Sequence, residues 1–521
     1  MMARFALAFA ALLALTAPRP ADAFCGFYVS GAGADMYNNA TVVVLMREGT
    51  RTVLSMQNNY QGPPSDFAMV VPVPVVVQKD NVKTLPNEVF GRVDQMAAPR
   101  LVEYWEMDPC RPQYKSVPRS AIANEAPSSM DDESAADKDY GVKIEAQFDV
   151  AEYNVVVLSA RDSTGLDAWL RKENYKIPAQ AERLLKPYVV SGMKFFVAKV
   201  DTKKVKFVNG QAMLSPLRVH YDSDQFNLPI RLGLVNSSGK QDLLVHILAP
   251  NQRYEVANYK NVTIPTNLTV REATKKSFAA FYNSLFDSTL REHGPAVVTE
   301  YSWNASTCDP CPGATLTGSD FMTLGADVLP SQGGSGFVLT RLHARYSANV
   351  IGDDLVFRKA EPIIGGRGTP DTKGRMERGV KKSSVNNFQG RYVILHRWKG
   401  SVECANPQLG QWGGPPGGQS QLQAAKGLAF APRNQKPETY LESAVSDDDT
   451  LVSGSDDSKF VGPTGVAPPL EKEDLPTSPG QSQGRGCAGC QSSQLAGAGA
   501  GLGLLVLLLL VRRRSWNRRA S

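Results

Sequence analysis

Thr41-Val-Val-Val-Leu-Met46 and Arg51-Thr-Val-Leu-Ser-Met56 flank Arg47-Glu48-Gly49-Thr50. Two apolar, β-branched runs on either side of a short turn containing glycine predict a β-hairpin. Working outward, Phe67 to Val77 is a further β-branched run, interrupted by Pro72 and Pro74. Proline cannot donate to a sheet ladder, so this run predicts an edge or bulged strand. Tyr153–Ser159, Met193–Val200, Ile230–Asn236 and Asp242–Ala249 predict more strands. Leu166, Trp169 and Leu170 share one helical face. Phe278, Phe281, Tyr282, Leu285, Phe286 and Leu290 share another over about 270–292, stopped by Gly294-Pro295. The expected fold is therefore α+β: a strand-rich body over 24–404 with a few amphipathic helices. Residues 111–140 and 362–388 are polar and read as inserted loops.

The chain has 521 residues, 42% hydrophobic and 21% charged, which excludes a wholly disordered, collagenous or coiled-coil chain. The formal charge of +6 divides unevenly. The last ten residues hold five arginines, and 436–485 hold ten acids against four bases. The body is left mildly basic, about +6, too little over its length to be a nucleic-acid footprint.

Both ends predict an exported chain. Arg4, the apolar stretch Phe5–Leu15 and Ala21-Asp22-Ala23 are the three parts of a secretory signal, in order, over residues 1–23. Cleavage is expected between Ala23 and Phe24. Leu495 to Val511 is a 17-residue uncharged run, just long enough to cross a bilayer as a single helix, followed at once by Arg512, Arg513 and Arg514. Arginines resist translocation, so the C-terminus is expected in the cytoplasm and the body outside, anchored at first in the inner membrane. Residues 405–486 are rich in Gly, Pro, Ser, Gln and Asp with few aromatics. They read as a disordered acidic linker spanning on the order of 50 Å.

Gly486-Cys487-Ala488-Gly489-Cys490, the apolar run and the arginine cluster together resemble the MYXO-CTERM sorting signal of exported myxobacterial proteins, over about 486–521. That resemblance implies a membrane-embedded sorting protease as partner, with Cys487 as the processed residue. A local Cys487–Cys490 disulfide is the structural alternative. The body resembles the bacterial domain-of-unknown-function family 2330 over about 24–398. The resemblance rests on Phe24-Cys-Gly-Phe-Tyr-Val29, Asp66-Phe-Ala-Met-Val-Val-Pro-Val-Pro74, Ala98-Pro-Arg-Leu-Val-Glu-Tyr104, Asp108-Pro-Cys110, Leu228-Pro-Ile-Arg-Leu232, Cys308-Asp-Pro-Cys311 and Gln389-Gly-Arg-Tyr-Val393. It implies an exported setting and no particular reaction.

Templates for nucleophilic, zinc and phosphate chemistry are not met. There is no G-x-S-x-G, no G-x-x-x-x-G-K-[ST] and no H-E-x-x-H, and none of the five histidines has another three or four residues away. His246, inside Leu244-Val-His-Ile-Leu248, reads as a core histidine. No metal and no cofactor is expected. The sharpest chemical motif is Cys308-x-x-Cys311, which could cycle between dithiol and disulfide if it opened a helix. Pro312-Gly313 favours a loop and a structural disulfide, internal or to Cys25, Cys110 or Cys404. The function expected is that of an exported, surface- or envelope-anchored protein with a non-catalytic binding or structural body and no nucleic-acid partner. Export machinery and the membrane are its expected contacts. The alternatives are an envelope thiol-disulfide oxidoreductase using Cys308 and Cys311, and a hydrolase with a dispersed site.

Overall fold

The central hairpin forms as its sequence predicts: strands Ala40–Glu48 and Arg51–Met56 meet at a two-residue turn with Gly49 at φ 56°. The structure is a computed structural model. It describes residues 27–29, 40–57, 68–110 and 141–453, with short breaks at 174, 176, 178–180, 202, 209–210, 237–239, 332–335, 348–349, 417–421, 425–430, 434, 443–444 and 447–448. The expected signal segment 1–23, the polar stretch 111–140 and the run 495–511 lie outside the described residues. Among the described residues, no helix is long and apolar enough to cross a membrane.

The hairpin sits inside a large mixed sheet. Ala40–Glu48 pairs in parallel with Gln241–Pro250, which pairs antiparallel with Phe337–Tyr346, which in turn pairs antiparallel with Ala296–Asn304. On the other side Arg51–Met56 pairs with Leu217–Asp222. Side chains alternate along a strand. Val43 and Leu45 therefore enter one core cluster, and Val44 and Met46 enter another on the opposite face. Both faces are covered, which is why the run reads as continuously apolar.

A second, antiparallel sheet covers the first face. Its order is Phe27–Val29, Ala68–Val73, Lys194–Val200, Tyr153–Ala160 and Val142–Val150. Met69, Val71, Val155, Val157 and Phe196 pack in one cluster with Val43, Leu45, Val245 and Ile247. The alternate residues Val70, Leu158, Phe195 and Val197 turn outward onto helices Ser163–Lys172 and Ala181–Val190, which bury Leu166, Leu170, Leu184 and Tyr188. On the far face of the large sheet lie helices Glu88–Ala97, Gly318–Leu324 and Phe278–His293. The body is thus α+β, built around two sheets packed face to face with helices on both outer surfaces; a separate sheet pairs Arg391–His396 in parallel with Arg100–Glu106. Gly325 ends one of those helices at φ 133°, and a Cβ there would lie 2.7 Å from Val53 Cγ1, so glycine lets helix and hairpin close.

Several expectations change. Ala68–Val73 is flanked on both sides, although its outer partner Phe27–Val29 pairs only with Ala68 to Val70 and leaves Pro72 beyond it. Ile230–Asn236, expected as a strand, is a 3-10 turn over Arg231–Asn236. Ile230, Leu232 and Leu234 are buried as a strand pattern requires, but Asp354 accepts the amides of Ile230 (2.8 Å) and Arg231 (3.3 Å), so a side chain replaces a neighbouring strand. The stretch 362–388 is no loose insertion: Ile363–Gly365 and Asn387–Gln389 pair in parallel, and Met376 and Val380 are buried. The linker does not start at 405. Trp412–Gly413 and Gln423–Ala424 pair with Arg100–Glu106, Leu441 is buried, and Val452–Ser453 pairs with Lys260–Thr263. Arg378 grips buried Asp449 with two nitrogens, Nε at 2.9 Å. Ion pairs and strand edges hold this polar segment where apolar burial would not.

Candidate functional site

Two disulfides form among the described cysteines. Cys110 bonds Cys404, 294 residues away, with Cα atoms 5.6 Å apart, and Cys308 bonds Cys311. Cys25, Cys487, Cys490, Ala23 and Phe24 lie outside the described residues. The Cys308–Cys311 turn follows the strand Ala296–Asn304 but opens no helix; Gly318–Leu324 begins later, capped by Thr317 with Asp320. Its carbonyls are gripped from below: Pro310 O accepts from Arg100 Nη1 (2.8 Å), Asp309 O from Gln389 Nε2 (2.5 Å) and Pro312 O from Gln95 Nε2 (3.0 Å). No helix N-terminus lies at Cys308 to lower its thiol pKa, and the turn is fastened to the body on three carbonyls.

A second constellation was not singled out from the sequence. It lies on the helix-covered face of the large sheet. Strand parity turns Leu339, Arg341, His343 and Arg345 to that face, and Asp242, His246 and Leu248 on the neighbouring strand with them. Glu300 stands at a register shift, the extra residue between Thr299 and Tyr301. A bulge re-aims a side chain, here into the same layer.

His343 bridges two carboxylates, with Nδ1 2.7 Å from Glu300 Oε1 and Nε2 3.1 Å from Asp242 Oδ1. Arg341 Nε donates to Glu300 Oε2 at 2.6 Å, and Tyr282 Oη donates to Glu300 Oε1 from helix Phe278–His293. Arg341 also pairs with Asp94 of helix Glu88–Ala97. Arg433, from the C-terminal segment, reaches Asp242 Oδ2 (2.8 Å) and Asp287 Oδ1 (2.7 Å). Phe286 stacks on the imidazole with centroids 3.9 Å apart. Glu300, Arg341 and His343 are all 0% exposed.

Burial alone would discharge these groups. Burial pushes His343 down, but the Glu300 charge and bonds to Asp242 and Glu300 outweigh it and raise its pKa to about 9. Burial pushes Glu300 up, but His343 and Arg341 outweigh it and hold its pKa at about 2. His246 goes the other way: burial, then the Arg341 charge, lowers it to about 4, although Asp94 lies 3.6 Å away. The imidazolium and both carboxylates have each polar atom engaged. No atom of Glu300, His343 or Asp242 is left to attack or deprotonate a substrate. Chemically the arrangement is an ion-paired clamp joining three strands, two helices and the C-terminal segment. Among the described residues, no three or more of His, Cys, Asp and Glu cluster so as to hold a metal.

A different cluster lies beside it. Arg391 and Arg100 are register partners on the parallel strands Arg391–His396 and Arg100–Glu106. Both are buried, and among the described residues neither has a carboxylate partner. Arg100 donates to the carbonyls of Met96 and Pro310; Arg391 donates to Asn267 Oδ1 (2.8 Å), Gly368 O (2.7 Å) and Tyr104 Oη (3.3 Å). Burial first, with repulsion from Arg391 and Arg341, lowers Arg100 to about 10. The Gly365–Gly368 loop turns at Gly366 (φ 67°), where a Cβ would lie 1.9 Å from Gln389 O.

In sequence the first constellation shows only as charges set inside apolar strands: Arg341, His343 and Arg345 among Leu339, Leu342 and Ala344, and a lone Glu300 in Ala296-Val-Val-Thr-Glu-Tyr301. No curated protein and no solved structure matches the chain. A family profile described as an uncharacterized protein conserved in bacteria (DUF2330) matches residues 19–358. That stretch covers more than half of the 521 residues and includes the second sheet, most of the large one and the strands that carry Asp242, Glu300 and His343. The chain therefore belongs to the DUF2330 family.

Proposed function

We propose that this protein is exported and anchored at the cell envelope, with a non-catalytic binding or structural body. The supporting observation is the Cys110–Cys404 bridge, which closes 294 residues of chain. Such bonds persist where thiols are oxidised, outside the cytoplasm. The signal-like residues 1–23, the apolar run 495–511 and the arginines behind it accord with that compartment. On this reading the export machinery delivers the chain, residues 495–511 hold it in the inner membrane with its C-terminus in the cytoplasm, and a sorting protease acts at Cys487. The fully engaged Glu300–His343–Asp242 set supports a body built for rigidity rather than turnover.

The test is non-reducing peptide mapping of protein taken from intact cells, alongside protease treatment of those cells. A Cys110–Cys404 cross-linked peptide, loss of residues 1–23 and cleavage of the body from outside are the expected results. An intact N-terminus in the cytosol with both thiols free overturns the proposal. The exposed Cys311 keeps a dithiol reading in play. It is distinguished by titrating the Cys308–Cys311 pair against a thioredoxin-type dithiol: turnover with a protein disulfide supports it, and a bond that stays closed in the native protein removes it.

A further inference from the structure

We infer that the knot of chain closed by the Cys110–Cys404 bridge is a docking surface for an anionic lipid bilayer. The inference deepens the exported, membrane-anchored reading and rests on it for the compartment alone.

The knot is built at the end of the parallel strand pair. Glu106 accepts the amides of Trp398 (3.1 Å) and Gly410 (2.9 Å), Met107 N donates to Gln411 O (2.7 Å), and Gln408 N donates to Pro109 O (2.9 Å). The disulfide joins the same two segments. Gly410, at φ 72°, lets the chain close on Thr372, where a Cβ would lie 2.1 Å from the carbonyl oxygen. Surface apolar residues scattered singly need no explanation, whereas a cluster does. Met107, Trp398, Val402 and Leu409 are 39%, 37%, 46% and 58% exposed, and all four are carried by this one knot.

Charge is concentrated in the adjoining chain. Residues 362–400 hold nine lysines and arginines against two acids, a net +7. Several of these bases have carboxylate partners, among them Arg367, Arg375 and Arg378. Exposed Lys373, Arg397 and Lys399 have no ion pair among the described residues. Arg397 instead lies over the Trp412 ring at 5.6 Å and donates to Lys373 O (3.2 Å), which draws the cations beside the knot.

Exposed tryptophan and aliphatic side chains beside free cations match the two layers of a bilayer surface. Indole and aliphatic groups enter the interface, and ammonium and guanidinium groups meet anionic headgroups. An acidic polysaccharide would also attract the cations and stack on tryptophan, but it offers no apolar layer for Leu409 and Val402. The lipid surface accounts for both sets of residues.

The test uses the uncleaved full chain, reconstituted in vesicles of brominated zwitterionic lipid with and without a third of anionic lipid, and reads tryptophan quenching. Trp516 follows the arginine cluster, so its quenching in both lipid mixtures reports the anchor. Anionic lipid is expected to add a second quenched component. Trp398→Phe should abolish that component, Leu409→Ser should weaken it, and Arg397→Gln with Lys399→Gln should lower docking about fivefold per lost cation. Unchanged thermal melting and an intact Cys110–Cys404 bond in these surface variants confirm folding. Trp516 quenching without the Trp398 component overturns the docking surface and leaves the anchor standing. A Trp398 component without Trp516 quenching overturns the anchor and supports the surface. Loss of binding to an acidic polysaccharide, with vesicle quenching unchanged, assigns the knot to a glycan and overturns the lipid assignment.

Discussion

Two groups of buried charge lie side by side in this molecule and are neutralised in opposite ways. Around His343, cations meet carboxylates: Arg341 meets Glu300 and Asp94, His343 meets Glu300 and Asp242, and Arg433 meets Asp242 and Asp287. Around Arg391 and Arg100, two guanidiniums share a strand register and donate to carbonyls, an amide oxygen and a phenol. Helix Glu88–Ala97 serves both, giving the Asp94 carboxylate to one and the Met96 carbonyl to the other. The difference is one of purpose. Ion pairs bind whole elements to one another, whereas carbonyl-satisfied arginines fix the path of loops, here the Cys308–Cys311 turn and Gly368. If so, removing a carboxylate from the first group should be far more damaging than removing a cation from the second.

Glu300→Gln tests the larger side. It leaves Arg341 and His343 buried with a neutral partner, and breaking one member of a buried ion pair costs about 3–5 kcal/mol. Urea denaturation of the variant should show that loss. The pH dependence follows with its sign. His343 has its pKa raised from 6.5 to about 9, so its stabilisation is complete below about pH 6.5 and is lost as pH rises through 9. Glu300, lowered from 4.5 to about 2, stabilises above pH 4.5 and loses this as pH falls towards 2. His246, held neutral with a pKa of about 4, adds an acid-side loss that begins below pH 6.5. Stability should peak near pH 6.5, and Glu300→Gln should flatten the alkaline limb in particular. An unchanged alkaline limb would detach His343 from Glu300.

Arg100→Met tests the smaller side. The thioether chain fills similar space and removes a cation whose neighbour Arg391 repels it. The Met96 and Pro310 carbonyls lose their donor, which costs about 1–3 kcal/mol. Proteolytic sensitivity should rise at 308–312 more than elsewhere. A loss equal to that of Glu300→Gln, with no change at that turn, would break the distinction.

Only part of this contrast can be read from the chain. The hairpin, the helix Ser163–Lys172 and the helix Phe278–His293 announce themselves because their determinants are local: period, turn residues and a glycine stop. The network has no local determinant. Glu300 and Asp242 lie 43 and 101 residues from His343, and Arg433 lies 191 from Asp242. Composition also misjudges 431–453, since Arg433 and Asp449 are held by carboxylate and guanidinium partners that a count of apolar residues ignores. His246 was legible as a core residue from its apolar strand. His343, equally buried, was not, because its neighbours in sequence are charged. The unpaired state of Arg100 and Arg391 is a property of strand register, which a single sequence does not carry.

The finest division between the two groups is drawn by one hydroxyl in each. Tyr282 donates to the Glu300 carboxylate inside the core, and Tyr104 accepts from Arg391 while donating to Gly368 O (3.2 Å) near the surface. Both hydroxyls bond a charged group, a contact worth about 1.5–3 kcal/mol, and the two sites differ in their access to water. Tyr282→Phe strips a donor from a charge that has no water to turn to. Tyr104→Phe leaves Arg391 with Asn267 and Gly368, and the half-exposed site admits solvent. The expected difference between the two variants in urea is therefore about 1 kcal/mol, with Tyr282→Phe the weaker protein and Tyr104→Phe close to the parent. The opposite order would mean that the arginine pair, not the carboxylate clamp, holds the tighter half of the body.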